Sequence, residues 1–331
     1  MTPYISLVVI CISMVAGLIP ATDVSARQLP SELSVDYAPY NPLSLVLSKY
    51  NWLENEFKAD GVGIKWVYST GSEQSMKYLK AGSANISSSA SFSSVWSKAS
   101  GNPIKAFYVF TRAEWMSIVV SRDSPIKSVQ GLKGRRIAAA PGTDSYFFLL
   151  YALREAGMHK EDVEIVPLTH REGRAALEAK TVDAWAGGVS YSTSSQLENG
   201  FRMIYRNVFF NSDGFLNVSE DFAAHYPQAV LRVVKAYEKA RKWALSHPDD
   251  LEAIFAEEAK LTLPIARGVL SKYDFSNPVI ERNDIRELKD ASPVLKEENL
   301  ISQDTDMDKV IAELVDTSFV MKLLAPGSGS M

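Results

Sequence analysis

Short runs rich in β-branched and aromatic residues alternate along this chain with longer segments whose apolar residues recur at helical spacing. The alternation begins near residue 33 and is typical of β-α units, so it predicts an α/β fold with mostly parallel sheets. The predicted strands span residues 33–37, 64–68, 85–88, 105–110, 116–121, 136–140, 164–168, 182–186 and 214–218. The predicted helices span about 43–58, 72–81, 91–100, 143–157, 171–180 and 190–199.

The pattern also divides the chain into two lobes. The α/β region reads as two similar halves, and the length of 331 residues fits two domains. We predict a lobe I of residues 30–112 plus 216–331 and a lobe II of residues 117–211, joined by hinge crossings at 113–116 and 212–215. Two lobes joined twice enclose a cleft for a ligand. One apolar helix face in lobe I is expected to pack in the core: Val230, Val233, Val234, Tyr237, Ala240 and Ala244.

The N-terminal segment is typical of an export signal. The first 22 residues carry no charged side chain, and an apolar stretch at 5–19 ends before Pro20. Val24 and Ala26 occupy the −3 and −1 positions of a cleavage site, so residues 1–26 are predicted to be a signal peptide that is cut after Ala26 and directs the protein to the periplasm. The alternative is an uncleaved membrane anchor, since no Lys or Arg precedes the apolar stretch. Residues 326–331 are predicted to be a flexible tail.

Composition and charge exclude several classes of function. The 35 Lys and Arg residues nearly balance 39 Asp and Glu residues and form no basic run, so nucleic acid is not an expected partner. The one cysteine, Cys11, lies in the signal segment, so the mature chain has no thiol nucleophile. The four histidines have no metal-ligand spacing, and no nucleophile-elbow, dinucleotide-binding or P-loop motif occurs. We therefore expect no catalytic residues, no metal and no cofactor.

Small hydrogen-bonding residues follow several predicted strands, at residues 40–42, 69–72, 87–91, 142–146 and 190–191. A helix N-terminus presents unpaired N–H groups and a partial positive charge, and small residues let an anion approach it. Ligands of open α/β sheets bind at the carboxyl ends of the strands, where these residues lie. The junctions therefore predict an anion site, and the alternative is that each one only caps its helix.

The middle of the chain resembles a known family. Residues 124–129 (SPIKSV) with 131–138 (GLKGRRIA), the turn and helix at 142–157, and 182–186 (VDAWA) are similar in order and spacing to periplasmic solute-binding proteins for aliphatic sulfonates, taurine and nitrate, within a superfamily that includes thiamine-precursor-binding proteins. Weaker similarity covers nearly all of the mature chain. The resemblance implies a type II periplasmic binding protein fold that acts as a monomer and delivers its ligand to an ABC permease with a cytoplasmic ATPase.

The resemblance also implies which residues contact the ligand, by their position in the matched segments. Hydroxyls and main-chain N–H groups are expected to hold the anionic head group while aromatic residues cover its organic tail. The expected ligand-binding residues in these segments are Tyr40, Asn41, Ser88, Ser89, Ser91, Thr143, Ser145, Tyr146, Trp185, Gly188 and Tyr191.

The chain departs from the family pattern after residues 182–186. Alkanesulfonate binders usually continue with Trp, Asp and Pro where this chain has Gly188, Val189 and Ser190. The missing acid argues against the ammonium group of taurine, and the missing Trp leaves room for a bulkier or aromatic tail.

Residues of the first crossing are further candidates. Arg112 is predicted to favour a carboxylate or sulfonate, and the alternative is a surface ion pair with Glu114. Trp115 either touches the ligand or packs in the core.

The expected function is capture of a small organic anion, most simply a sulfonate, for import. The alternatives are an aromatic carboxylate, a thiamine-precursor pyrimidine, or an exported hydrolase with an unrecognised nucleophile.

Overall fold

The computed structural model describes residues 29–141, 143–207 and 213–325. The predicted signal peptide, the tail and the start of the second crossing lie outside the described residues. The strands are β1 (Glu32–Tyr37), β2 (Gly63–Tyr68), β3 (Ile86–Ala90), β4 (Ile104–Ala113), β5 (Met116–Val120), β6 (Arg136–Ala139), β7 (Glu164–Pro167), β8 (Ala184–Gly188), β9 (Arg202–Tyr205), β10 (Gly214–Ser219) and β11 (Tyr273–Asp274).

The helices follow the strands as β-α units require and then dominate the C-terminal third. They are α1 (Pro42–Lys49), α2 (Trp52–Phe57), α3 (Ser72–Lys80), α4 (Ser91–Ala99), α5 (Asp144–Glu155), α6 (His170–Glu178), α7 (Val189–Asn199), α8 (Glu220–His225), α9 (Pro227–Ser246), α10 (Pro248–Ala259), α11 (Leu263–Leu270), α12 (Arg282–Ala291), α13 (Pro293–Glu297), α14 (Met307–Leu314) and α15 (Ser318–Leu324). Among the described residues, no helix combines the length and apolarity needed to cross a bilayer.

All nine predicted strands are present with small shifts at their ends, and two short strands were not predicted, β9 and β11. β9 is half-buried along its whole length, and β11 has only two residues, so neither gives an alternating pattern. The helix predicted at 43–58 is two helices, because Asn51 adopts a left-handed φ of 53° between α1 and α2. The apolar face predicted for α9 is confirmed, since all six of its residues are buried.

The strands form two mixed sheets, with orders β11-β4-β10-β3-β1-β2 and β7-β6-β8-β5-β9. β1 is parallel to β2 and β3, and β6 is parallel to β7 and β8. However, β10 is antiparallel to β3 and β4, and β5 is antiparallel to β8 and β9. The expectation of mostly parallel sheets is therefore wrong. The physical reason is that β5 and β10 each carry the chain over from the other sheet and enter against the direction of the β-α units.

The six-stranded sheet is built from segments predicted for lobe I and the five-stranded sheet from segments predicted for lobe II, apart from strand ends that extend into the crossings. The lobe boundaries themselves stay a prediction. The two parts touch each other: the Trp96 ring of α4 lies 5.7 Å from the Phe147 ring of α5, and Lys272 Nζ, just before β11, donates to Thr193 Oγ1 of α7 at 3.0 Å. These contacts join the two parts close to several of the predicted site residues.

Candidate ligand-binding cleft

A buried carboxyl group organises the ends of β1, β2 and β3. Asp36 in β1 accepts hydrogen bonds from the Ser88 backbone N–H at 2.6 Å and from the Ser69 hydroxyl at 2.8 Å. The Tyr40 hydroxyl lies 2.9 Å from Ser69 Oγ and donates to the Ser88 carbonyl at 3.0 Å. The structure thus brings the predicted residues Tyr40 and Ser88 into direct contact, and both lie against Asp36.

Burial raises the pKa of Asp36 to about 7, while the hydrogen bonds from Ser69, Ser88 and Tyr40 oppose this rise. Burial and the nearby Asp36 also raise the pKa of Tyr40, so its phenol stays protonated and remains a donor. Near neutral pH, Asp36 is consequently only partly ionised, and it places less negative charge in the cleft than an exposed aspartate would.

Two further predicted serines are buried where β3 leads into α4. The hydroxyl of Ser89 lies 2.7 Å from that of Ser94 and accepts from Asn217 Nδ2 at 3.1 Å. The Ser91 N–H donates to the carbonyl of Asp213 at 2.7 Å. This contact joins the start of α4 to the second crossing of the chain.

Asn41 adopts the capping role that the sequence left open. Its Oδ1 accepts from the Ser44 N–H at 3.2 Å at the start of α1, and its Nδ2 donates to the Tyr237 hydroxyl at 3.3 Å. Asn41 is fully buried. Its side chain therefore joins the start of α1 to α9.

The starts of α4 and α5 contact each other. Asp144, the first residue of α5, is buried, and its carboxyl group accepts a hydrogen bond from the Ser93 backbone N–H in the first turn of α4. Burial raises the pKa of Asp144 to about 8, and the hydrogen bond from Ser93 opposes this rise. The N-terminus of α4 therefore donates to a carboxyl oxygen of the adjoining helix, as helix N-termini donate to oxyanions.

The other predicted residues of α5 lie beside Asp144. Thr143 Oγ1 donates to the Ala140 carbonyl at 2.6 Å and lies 2.8 Å from Ser145 Oγ, so the two hydroxyls form one cluster. Tyr146 is half-buried and packs edge-on against Phe147, with ring centroids 6.0 Å apart.

Trp185 is fully buried inside the five-stranded part of the molecule, in a cluster with residues such as Leu177 and Phe201. Two glycines leave space for its indole, because a Cβ built on Gly173 or Gly187 would lie 2.5–2.6 Å from indole atoms. The indole N–H is buried without a hydrogen-bond partner among the described residues. The structure therefore places Trp185 in the core.

Gly188 and Tyr191 lie where β8 leads into α7, next to His170. The Gly188 N–H donates to His170 Nδ1 at 3.2 Å, so the proton of the neutral imidazole is on Nε2. Burial lowers the pKa of His170 to about 4, which keeps the ring neutral near pH 7. The imidazole lies nearly parallel to the Tyr191 ring, with an interplanar angle of 22° and centroids 6.2 Å apart.

The two candidates at the first crossing have structural partners. Arg112 does not pair with Glu114: it donates to Asp284 at 2.7 Å and to the Asn277 carbonyl at 2.5 Å, while Glu114 pairs with Arg206. These bonds join the end of β4 to the first turn of α12 and to the segment before it. Trp115 is buried between aromatic neighbours, with its ring centroid 5.1 Å from that of Tyr273 and 6.1 Å from that of Phe110.

Three residues of the cleft were not predicted as site residues: Asp36, Asp144 and His170. Each is the polar residue of a strand end or a first helix turn, and each neighbours a residue that was predicted. The residues predicted from the sequence are donors to an anion, so acids are not among them, although Asp144 lies within the predicted junction at 142–146. The described residues contain no cluster of three or more His, Cys, Asp or Glu side chains suited to a metal ion.

Two sheets with facing strand ends, hydroxyl clusters and opposed helix N-termini define an α/β ligand-binding protein. The sequence model described as "NMT1/THI5 like" matches residues 56–251, which is more than half of the chain. The chain belongs to the NMT1/THI5-like family.

Relatives and solved structures agree with this assignment. The chain is 25% identical over 283 residues to an aliphatic sulfonates-binding protein of Bacillus subtilis, covering 85% of this chain and 84% of the relative. It is 27% identical to a protein of the same description from Escherichia coli, covering 77% and 81%. The alkanesulfonate-binding protein SsuA of Xanthomonas axonopodis, solved with MOPS bound, superposes with a TM-score of 0.78 at 20% identity over 87% of this chain and 98% of that one. These similarities confirm the periplasmic binding protein fold and the expectation of a binding protein rather than an enzyme.

Proposed function

We propose that this protein is the solute-binding component of an ABC importer and that it captures a small organic sulfonate in the cleft between its two sheets. The names of the Bacillus and Escherichia relatives support the sulfonate class. The ligand would be held by the facing starts of α4 and α5 and by the hydroxyls beside them, without a formal cation. Arg112, the cation expected from the sequence to contact the ligand, forms an ion pair with Asp284.

The observation that carries the proposal is the hydrogen bond from the Ser93 N–H to the Asp144 carboxyl. It supports the view that the N–H groups at the α4 N-terminus donate to an oxygen of a carboxyl or sulfonate group. With its pKa raised to about 8, Asp144 is mostly protonated at pH 7, and a neutral carboxylic acid offers an O–H donor to a sulfonate oxygen. At a pH below their pKa values, Asp36 and Asp144 are mostly neutral and do not repel an anionic ligand.

The remaining features of an importer subunit belong to the same proposal. The protein would reach the periplasm after cleavage behind Ala26, act as a monomer, and deliver its ligand to a membrane permease driven by an ATPase. The apolar, uncharged stretch at 5–19 supports export. The similarity to sulfonate-binding relatives over most of both chains supports the importer partners.

A thermal-shift screen of the mature protein tests the ligand class. Alkyl and aryl sulfonates, sulfate esters, aromatic carboxylates, nitrate and a neutral aminopyrimidine are compared at pH 6. A sulfonate present at a hundredfold excess over its Kd is expected to stabilise the protein by about 2.7 kcal/mol, which raises Tm by about 4 °C for a chain of this length. Mass spectrometry is expected to recover the ligand unchanged. A screen in which no anion raises Tm, or in which the pyrimidine alone does, would contradict the proposal, as would hydrolysis of the ligand.

A further inference from the structure

The C-terminal helices α12, α13 and α14 lie in a segment that leaves the six-stranded sheet and returns to it. Before α12, the Val109 N–H of β4 donates to the Pro278 carbonyl at 2.9 Å. After α14, Val315 bridges Ala106 of β4, and the Asp316 N–H donates to the Ala106 carbonyl at 2.8 Å. Both ends of the segment are therefore joined to β4.

The middle of this segment contacts the five-stranded part of the molecule. Lys160 Nζ, in the connection between α5 and β7, donates to the Glu298 carbonyl at 2.6 Å and lies 3.2 Å from the carboxylate of the same residue, which is buried. Arg154 Nε of α5 lies 3.2 Å from the Glu297 carboxylate. We call α13 and the turn after it, residues 293–301, the clamp.

The clamp also contacts α4, the helix of the six-stranded part that adjoins α5. Trp96 Nε1 of α4 donates to the Leu300 carbonyl at 3.3 Å, and the same indole lies 5.7 Å from the Phe147 ring of α5. The clamp is therefore in contact with both of the helices whose starts meet at Ser93 and Asp144.

Apolar residues of the two parts and of the clamp share one buried core. A single cluster includes Val95 and Ile104 of the six-stranded part, Ile137 and Leu149 of the five-stranded part, and Leu295 of the clamp. Separating the two parts would expose apolar surface of this cluster to water, which is unfavourable. The clamp is thus a third connection between the two parts, beside the two crossings of the chain.

Arg112 joins the segment before the clamp to both crossings. Its guanidinium donates to the Val279 carbonyl at 2.9 Å and to Asp284 at 2.7 Å, and its Nε lies 3.6 Å from Asp213, the residue before β10. Asp213 and Asp284 are buried, so these interactions are weakly screened by salt. Because the base of the clamp is held to β4 in this way, separating the two parts must break the contacts between the clamp and α5.

We infer that Lys160 and Glu298 are positioning residues: through them the clamp holds the start of α5 against the start of α4 and sets how readily the two starts separate to admit or release a ligand. Neither residue has to touch the ligand. The inference rests on the proposed function for the identity of the ligand-holding helices, whereas the clamp itself can be tested on the protein alone.

Amide hydrogen exchange of the ligand-free protein tests the clamp. The reporter is the Ser93 N–H, which lies in the first turn of α4, where an N–H has no acceptor within its own helix, and which donates to Asp144. The clamp variant, Arg154→Gln with Lys160→Gln, removes the two cations that pair with the clamp. We expect the Ser93 N–H to exchange about tenfold faster in this variant than in the wild-type protein.

Lys133→Gln with Arg136→Gln is the matched control, because it changes the net charge equally. These two cations pair with Asp162 and Glu164, each at 3.1 Å, and both pairs lie within the five-stranded part. Exchange at Ser93 should stay within about twofold of the wild-type rate in this control.

Two reference amides distinguish release of the clamp from global unfolding. The Asn85 N–H donates to the Ser34 carbonyl at 2.8 Å in the six-stranded part, and the Leu168 N–H donates to the Ala139 carbonyl at 3.2 Å in the five-stranded part. Both should exchange at the wild-type rate in the clamp variant, so that faster exchange at Ser93 reports a local opening.

The dissociation rate of benzenesulfonate is a second readout, and it is expected to rise about tenfold in the clamp variant and to stay unchanged in the control. An unchanged Ser93 exchange rate in the clamp variant, or equal acceleration in the control or at the reference amides, would overturn the clamp. An unchanged dissociation rate would overturn its role in ligand release. If no sulfonate binds to the wild-type protein, the proposed function fails, and the exchange measurements still decide whether the clamp exists.

Discussion

The affinity for an organic sulfonate is expected to fall about tenfold or more between pH 6 and pH 9. The pKa values of Asp36 and Asp144 are raised to about 7 and about 8, so both carboxyl groups are mostly neutral at pH 6 and ionised at pH 9. Ionisation places two negative charges beside a bound anion in a site of low dielectric, and each like-charge contact disfavours binding. Calorimetry across this pH range measures the effect directly.

The sign of this dependence reports the charge of the ligand. A bound anion favours the protonated acids, so binding near pH 8 should take up protons, which titrations in buffers of different ionisation enthalpy detect. The phenols of Tyr40 and Tyr237, which face Asp36, have raised pKa values and stay neutral over this range. Asp36→Asn and Asp144→Asn, made together, should flatten the profile. An affinity that is constant or rises with pH in the wild-type protein would contradict an anionic ligand.

The carboxyl groups of Asp36 and Asp144 should also make the ligand-free protein less stable at high pH. This loss of stability is an independent check on their raised pKa values. Their folded-state pKa values lie above the ordinary value of 3.8, so the folded state holds the protons more tightly than the unfolded state. The stabilisation is complete below about pH 4 and is lost as pH rises through 7 and 8. Urea unfolding at several pH values should show this loss in the wild-type protein and not in the double asparagine variant.

Trp185→Ala is expected to lower the free energy of unfolding by about 3–5 kcal/mol and to lower Tm by about 10 °C. The indole is fully buried between Gly173 and Gly187, so its removal leaves a large cavity in the five-stranded part of the molecule. Trp185→Phe should cost less, because the indole N–H has no partner among the described residues and only volume is lost. Urea or thermal unfolding of the three proteins measures the differences.

Leu177→Ala serves as the matched control for Trp185, since Leu177 lies in the same buried cluster and was never a candidate for ligand contact. Both alanine variants should be destabilised, with sulfonate affinity changed less than threefold at a temperature at which they are folded. A Trp185→Ala protein that keeps its stability but loses the ligand would show that the indole faces the cleft instead.

Most of the fold could be predicted because periodicity and junction chemistry are local. The β-α units, the apolar face of α9 and the helix starts at α3, α4, α5 and α7 follow from spacing within about ten residues. The antiparallel strands β5 and β10 could not be predicted, because their direction depends on how the chain crosses between two sheets. Nothing in the residues of β10 themselves distinguishes a parallel neighbour of β3 from an antiparallel one.

The candidate site was predictable in location but not in its organisation. Tyr40 and Ser88 lie together as their junctions suggested, but Ser88 is also bonded to Asp36, and nothing in the local pattern indicates that this acid is buried. Trp185 and Arg112, in contrast, were predicted to contact the ligand but have structural roles in the folded chain. Their positions beside a junction and at a crossing both suit contact with a ligand. In the structure, however, Trp185 is buried between Gly173 and Gly187, and Arg112 pairs with Asp284. These partners are distant in sequence and meet only in the folded chain.

The most direct test of sulfonate binding in the cleft is a calorimetric titration of benzenesulfonate into the wild-type protein, Thr143→Trp and Thr181→Trp at pH 6. Thr143 lies at the start of α5, where an indole would fill the space for the head group, whereas Thr181 is exposed and makes a similar bond to the Ala176 carbonyl. We predict one bound sulfonate per chain for the wild-type and Thr181→Trp proteins, and at least hundredfold weaker binding to a folded Thr143→Trp protein. Equal affinity in all three would contradict the account.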